Sequence, residues 1–271
     1  MSGQEEIIKE QLACALIGSD LPGLGVPERR GITDTYSLED YTLLIVTDRA
    51  GNNDAVSSAI PFKGEVIARL SAWWLDQMRD LVPNTIERVV DPQALLVRRA
   101  APVPVGFSAH ARLSESVVAP MMSEPAGRGN APVTRDQALE EPGMSPELFD
   151  RMSALAHKLF ERGRALAAER QIELVDTCYS FGLLPGGELV VDTLLHAPHL
   201  SSYRIAGPDG RSWQSPGETV GAAGELPQER CLELAEAYLT LGQRLIADFE
   251  PHVGPVKNRL AYSLSFVGLL A

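Results

Sequence analysis

An α+β fold is predicted for this chain by three observations. Helical and strand-like segments are mixed without the regular strand–helix–strand alternation of a doubly wound parallel sheet. The strand-like runs are short and β-branched. The helix-like runs carry apolar stripes, and 271 residues suffice for one large domain or two small ones with a sizeable core.

In chain order, Glu5–Leu16 places Ile8, Leu12, Ala15 and Leu16 at helical spacing and stops near the Pro-Gly run that begins at Asp20. Tyr41–Thr47 is apolar, β-branched and bounded by charge, which predicts a buried strand, and Gly51-Asn-Asn-Asp54 follows as a loop. Glu65–Arg79 reads as a helix with Val66, Leu70, Trp73, Trp74 and Met78 near one face; the two tryptophans read as core. Ala94–Arg99 is a second strand, and the prolines of Ala101–Val105 hold that run extended. Periodicity disappears over 119–146, which predicts a long functional or mobile loop. Ser145-Pro146-Glu147 then opens the clearest helix, with Ser as N-cap, Pro at the first helical position, and a stripe from Leu148 to Ala167. Ile172–Thr177 and Glu188–Asp192 flank Leu184-Pro-Gly-Gly187 as a hairpin, and a last amphipathic helix covers about 227–249.

The net charge of −12 disfavours nucleic-acid polymers and anionic membranes, both of which need a positive field. Of the 24 basic residues, 20 are Arg and four are Lys (Lys9, Lys63, Lys158, Lys257). Cys14, Cys178 and Cys231 are odd in number and lack metal-ligand spacing, which fits a reducing compartment. The acidic N-terminal residues do not read as a signal peptide, and no run approaches the roughly 20 apolar residues of a membrane span. A cytoplasmic protein is expected. No phosphate-binding GxxxxGKS loop, GxGxxG, HExxH, paired CxxC or GxSxG is found. His196 and His199, in His196-Ala-Pro-His199, read as loop histidines in preference to a metal pair.

Several separated motifs, in order, resemble those of the SAICAR synthetase family (phosphoribosylaminoimidazole-succinocarboxamide synthases). They are Thr47-Asp-Arg49 with Asp54, Ile60-Pro-Phe-Lys-Gly64, Leu70–Trp74, Leu81-Val-Pro-Asn84 and Leu96–Val105. Val175-Asp-Thr177, Phe181-Gly182, Gly187–Asp192 and Ser201-Ser202 with Arg204 continue the resemblance, which spans roughly 28–245. The resemblance implies a two-part α+β fold with ATP and magnesium in a cleft between the parts. The expected division is a helical extension (1–27), a β-rich part (28–105), an α+β part (106–249) and a C-terminal tail (250–271). In the family, ATP activates a ribotide carboxylate as an acyl phosphate, and the amine of aspartate attacks it. That chemistry needs cations around the moving phosphoryl group and carboxylates for the metal.

The departures fall on that chemistry. The family's G-K-x-R-D-x-Y loop becomes Arg30–Tyr36, so its Lys position is Gly31, or Ile32 with a one-residue shift. The family's D-T-K-F-E-F-G becomes Asp176-Thr-Cys-Tyr-Ser-Phe-Gly182, so the Lys is Cys178 and the Glu is Ser180. Its T-K-x-E region survives only as Thr134–Glu141. The phosphate-gripping V-R-G-x-x-x-G-S aligns with Ala109–Ser116: Ser116 is kept, the Arg becomes His110, and Glu115 replaces a Gly. Arg112 is predicted on the same strand face as His110, able to supply the lost charge. Glu115 beside a phosphate site suggests a substrate whose phosphate is missing or moved. Asp192 keeps a candidate metal ligand, while the following Glu is Thr193 and a later Asp is His199.

The candidate catalytic residues are therefore His110, Cys178, Asp192 and His199. The candidate substrate-binding residues are Asp54, Arg112, Ser114, Ser116, Ser201, Ser202 and Arg204. The new polar groups favour an enzyme repurposed for specialised purine-nucleoside metabolism of the coformycin or pentostatin type, using acid–base chemistry on a purine- or aminoimidazole-like nucleoside or nucleotide. An ATP-dependent carboxylate–amine ligase with altered substrates and a non-catalytic binding or scaffold protein are the alternatives. Whether ATP and magnesium are still used is left open, as is assembly into a homo-oligomer or with a pathway enzyme.

Overall fold

The structure is a computed structural model that describes residues 3–50, 58–112, 115–123, 130–206, 212–214 and 226–270. Its elements are α helices mixed with antiparallel sheets, the α+β class expected. The chain divides into two compact units. Unit 1 comprises Met1–Ala72, Ile86–Arg98 and Pro216–Ala271, and unit 2 comprises Trp73–Thr85 and Arg99–Ser215.

Unit 1 is built on an antiparallel sheet of β1 (Glu28–Arg30), β2 (Thr33–Ser37), β3 (Tyr41–Val46), β4 (Ile86–Asp91) and β5 (Ala94–Arg98), in the order β1-β2-β3-β5-β4. Leu43, Leu44, Ile45 and Val46 of β3 are all buried. The strand is covered on both faces, which is why it reads as a continuous apolar run and not as an alternation. The same unit holds α1 (Gly3–Leu12), the first part of α2 (Lys63–Gln77), α5 (Gln228–Leu245) and α6 (Val256–Phe266). The chain passes from unit 1 to unit 2 within α2. The run expected as a tail contains α6, whose Val256, Leu260 and Leu264 pack with Leu43, Ile45 and Tyr36. A spacing of four residues between those apolar positions is the helical signal in the sequence.

Unit 2 holds a second antiparallel sheet with strand order β13-β12-β9-β7-β8. Its strands are β7 (Val105–Arg112), β8 (Glu115–Met122), β9 (Ile172–Tyr179), β12 (Ser201–Ala206) and β13 (Ser212–Gln214). A small sheet joins β6 (Ala101–Pro102), β10 (Phe181–Leu183) and β11 (Leu189–Val191) in the order β11-β10-β6. The long α4 (Pro146–Ala168) begins as expected, with the Ser145 side chain accepting from Leu148 N. The unpatterned stretch 119–146 is not wholly loop: its start belongs to β8, and it contains α3 (Arg135–Leu139), opened by a Thr134–Gln137 capping box. The expected hairpin is also corrected. Its turn at Leu184–Glu188, with Gly187 at φ +78°, joins β10 to β11, whereas Ile172–Thr177 belongs to β9, flanked by β7 and β12.

Candidate functional site

Alternation along β7, β9 and β12 decides which side chains meet, because successive residues of a strand point to opposite faces. One face carries Val105, Phe107 and Ala109 of β7, Thr177 and Tyr179 of β9, and Tyr203 and Ile205 of β12, all buried. Phe107 meets Phe149 of α4 at a centroid distance of 5.3 Å. The other face carries Ser108, His110 and Arg112 of β7, Asp176 and Cys178 of β9, and Ser202 and Arg204 of β12. His110, Arg112 and Arg204 are exposed there, and Ser108, Asp176, Cys178 and Ser202 are half-buried.

The register aligns these groups in rows. His110 is directly opposite Asp176, which is directly opposite Ser202; in the next row Ser108 faces Cys178. Ser202 Oγ donates to Asp176 Oδ1 at 3.0 Å. Burial pushes the Cys178 thiol pKa up from its ordinary value, with the Asp176 carboxylate adding to the effect. Arg204 Nη1 is 2.6 Å from Glu173 Oε2, its cross-strand neighbour. Four expected site residues of this sheet, together with Arg112, thus share one face: His110, Cys178, Ser202 and Arg204. Asp176 at its centre was not among the expected site residues. Its spacing of two from Cys178 on a strand was the available signal.

Ser116 and Ser201 are elsewhere. Ser116 pairs with Ala111 and its hydroxyl is held on the α4 side, donating to Glu161 and accepting from Arg164 Nη1 at 2.9 Å. Ser201 is buried, with its hydroxyl 2.8 Å from Thr177 Oγ1 on the α4-facing side. Asp192 and His199 occupy the segment between β11 and β12. Asp192 is exposed, its backbone N–H donates to Ser180 O at 2.9 Å, and its Oδ1 accepts from Leu194 N at 3.1 Å. His199 is half-buried. Asp54 and Ser114 lie outside the described residues. Among the described residues, no three His, Cys, Asp or Glu side chains gather as a metal set.

His196 belongs to the core. It is 1% exposed, its Nε2 is 2.7 Å from Tyr179 Oη, its ring meets the edge of Trp74 at 4.9 Å, and its carbonyl accepts from Tyr203 Oη at 2.5 Å. Gly163 of α4 makes room for it: a Cβ there would lie 2.5 Å from His196 Cε1. Burial pulls the imidazole pKa down to about 3, so the ring is neutral at pH 7. Trp74 is fully buried beside it, in the core as expected.

The motifs of unit 1 build fold. Asp34, 0% exposed, pairs with Arg49 at 2.6 Å and accepts from Ser19 N at 2.6 Å. Lys63, the lysine the resemblance retains, is buried and donates to Arg49 O at 2.7 Å. Gly31, at φ +50°, and Ile32, 3% exposed, form the turn between β1 and β2. Neither residue places a cation there. Asp48 accepts from Leu16 N at 2.7 Å and Gly64 N at 2.8 Å, yet its burial raises its pKa to about 6.

Comparison with known proteins identifies the relatives of this arrangement. The SAICAR synthetase family profile matches residues 31–107 and 100–197. The chloroplastic phosphoribosylaminoimidazole-succinocarboxamide synthase of Vigna aconitifolia is 29% identical over 220 residues, 69% of this chain and 64% of that protein. The synthase of Legionella pneumophila strain Paris is 24% identical over 292 residues, covering 86% and 92%. Among solved structures, SAICAR synthase from Saccharomyces cerevisiae, complexed with SAICAR, aligns with a TM-score of 0.71 at 19% identity, covering 87% of this chain and 99% of the yeast chain. A type-2 SAICAR synthetase in complex with ADP aligns with a TM-score of 0.68 at 17% identity, covering 83% and 99%. At those identities the solved structures establish a shared fold.

Proposed function

Because this chain belongs to the SAICAR synthetase family, a family of ligases, we propose that it is a family enzyme repurposed for specialised purine-nucleoside metabolism. Its substrate is a purine- or aminoimidazole-like nucleoside or nucleotide, in a pathway of the coformycin or pentostatin type, and ATP-driven ligation is lost.

The observation that carries this reading is the end of β9. Where the resemblance implies a phosphate-facing Lys and a metal- or nucleotide-facing Glu, the chain has Cys178 and Ser180. The Cys178 thiol is held protonated by its burial, and Ser180 Oγ accepts from Ser123 Oγ at 3.2 Å. A neutral thiol and a hydroxyl supply neither the cation nor the carboxylate that a magnesium-bound triphosphate needs. Gly31 and Ile32 add no charge in unit 1. Each missing donor aimed at transition-state charge is typically worth about 3 kcal/mol, so the combined losses are incompatible with useful phosphoryl transfer. The residues at these positions do not fit ATP and magnesium.

What remains suits proton transfer. His110 is an exposed imidazole facing a carboxylate across the sheet, able to take or return a proton at a bound ring. Asp192, His199 and Cys178 are the other candidates for that role. The test is calorimetric titration of the full chain with ATP–magnesium. The expected result is no binding at micromolar concentrations. Micromolar ATP binding would overturn this reading in favour of an ATP-dependent carboxylate–amine ligase with altered substrates.

A further inference from the structure

We infer that the outward face of α6 is an interface between two copies of this chain, packed helix against helix about a two-fold axis.

Helical spacing sets the face. Val256, Leu260 and Leu264 turn inward, which leaves Asn258, Ala261, Tyr262, Ser265 and Phe266 on the other side, all exposed. Tyr262 is 74% exposed and Phe266 81%, and they are the exposed aromatic side chains among the described residues. Their rings stack on one another, with centroids 6.5 Å apart and planes at 21°. The helix beneath them is pinned. Arg259 donates to Asp91, which is 2% exposed, at 3.1 Å and to Gln93 at 2.9 Å. Ser263 donates to Asp91 at 3.0 Å. The two rings are therefore held together in water, an unfavourable state that a partner covering them relieves.

Charge selects the partner. From Leu260 to Ala271 the sequence holds no Asp, Glu, Lys, Arg or His, whereas the whole chain carries −12. Two copies repel each other over most of their surface, and this uncharged face is where they can touch. A basic partner would find no carboxylate on it, and an anionic membrane no cation. An aromatic pair spaced by four residues is also self-complementary. With the two helices antiparallel, Tyr262 of each copy covers Phe266 of the other, and Ala261 and Ser265 are small enough to let the helices approach.

The area is sufficient for a weak dimer. At 74% and 81% exposure, the four rings of a pair bury roughly 450–800 Å² of the about 1,000 Å² that a specific interface needs. Asn258, Ala261 and Ser265 of both copies supply the remainder.

The experiment is sedimentation velocity of the full chain over about 1–100 μM. A dimer is expected, with a dissociation constant in the micromolar range. Phe266→Glu, at an exposed position, is expected to weaken it about tenfold or more without moving the denaturant midpoint. Tyr262→Asp should do the same, and Phe266→Leu, which keeps an apolar side chain, should retain the dimer. Raising salt from about 0.05 to about 0.5 M should tighten the dimer severalfold, because it screens the repulsion and leaves an uncharged contact intact. Monomer throughout the range, a dimer untouched by Phe266→Glu and Tyr262→Asp, or a dimer that salt weakens overturns the inference. So does a monomer that floats with neutral phosphatidylcholine vesicles and loses that binding in the same two variants, since the face then docks on lipid.

Discussion

At His196 the imidazole is sealed against Trp74, Tyr179 and Gly163, and burial holds its pKa at about 3 against an ordinary 6.5. As pH falls below about 6.5 the unfolded chain takes up this proton first. The stability of the surrounding core is therefore complete above that pH and falls by about 1.4 kcal/mol per pH unit on the way down towards 3. His196→Gln keeps a hydrogen-bonding side chain opposite Tyr179 and is expected to flatten that slope, as measured by denaturant unfolding between pH 4.5 and 7.5; parallel curves for the two proteins would refute the assignment. Asp48 has the opposite sign. Its folded pKa of about 6 lies above the ordinary 3.8, mainly through desolvation, so the native state binds the proton first and stability falls as pH rises from about 3.8 to about 6. At Cys178 the raised thiol pKa predicts slow alkylation at pH 8, read by peptide mass mapping, because the thiolate is the nucleophile. Asp176→Asn should accelerate it modestly, since burial is the larger cause. A rate equal to that of a free thiol would contradict the described environment. None of these shifts was legible in the sequence, because each depends on what chain-distant residues exclude water from.

Strands β7, β9 and β12 show how much a single element reveals. Period-two alternation was enough to put His110 and Arg112 on one face, and the burial pattern of β7 agrees. Which face Ser116 and Ser201 take was not predictable, because it depends on the register of β8 against β7 and of β12 against β9. A one-residue change of register exchanges the faces; the β9–β12 pair contains such a shift between Ser202 and Tyr203. Helix α4 was legible from both its cap and its stripe, since the Ser-Pro-Glu start states its own chemistry. Helix α6 was not recognised. Its first residues lack a side-chain cap, and its three buried positions gain meaning only against Leu43 and Ile45. Leu260→Ala is expected to cost about 3 kcal/mol in unfolding free energy, the usual range for an apolar residue removed from a closed core. A loss under about 1 kcal/mol would show that α6 is not part of that core.

Over the whole molecule, the two units draw on separated stretches of chain, with Pro216–Ala271 counted in unit 1. Asp48 belongs to unit 1 and His196 to unit 2, and acid acts on them with opposite sign because burial raises the pKa of the carboxyl and lowers that of the imidazole. Between pH 6 and 4, local stability measured by hydrogen exchange should rise around Asp48 and fall around His196. Asp48→Asn and His196→Gln should each abolish only the trend of their own unit, and a uniform response across both units would contradict the two assignments. Among the described residues no helix is long and apolar enough to cross a membrane, in line with the composition. The sequence by itself determined the fold class, the family, the starts of the strongest elements and the uncharged residues at Gly31, Cys178 and Ser180, because these are properties of residue type and local spacing. Only the tertiary structure decided that Ser116 and Ser201 turn away from His110, that Asp176 stands among the open polar groups, and that His196 is core. Sheet register and helix packing join residues distant in sequence, and local physical chemistry does not encode which of them meet.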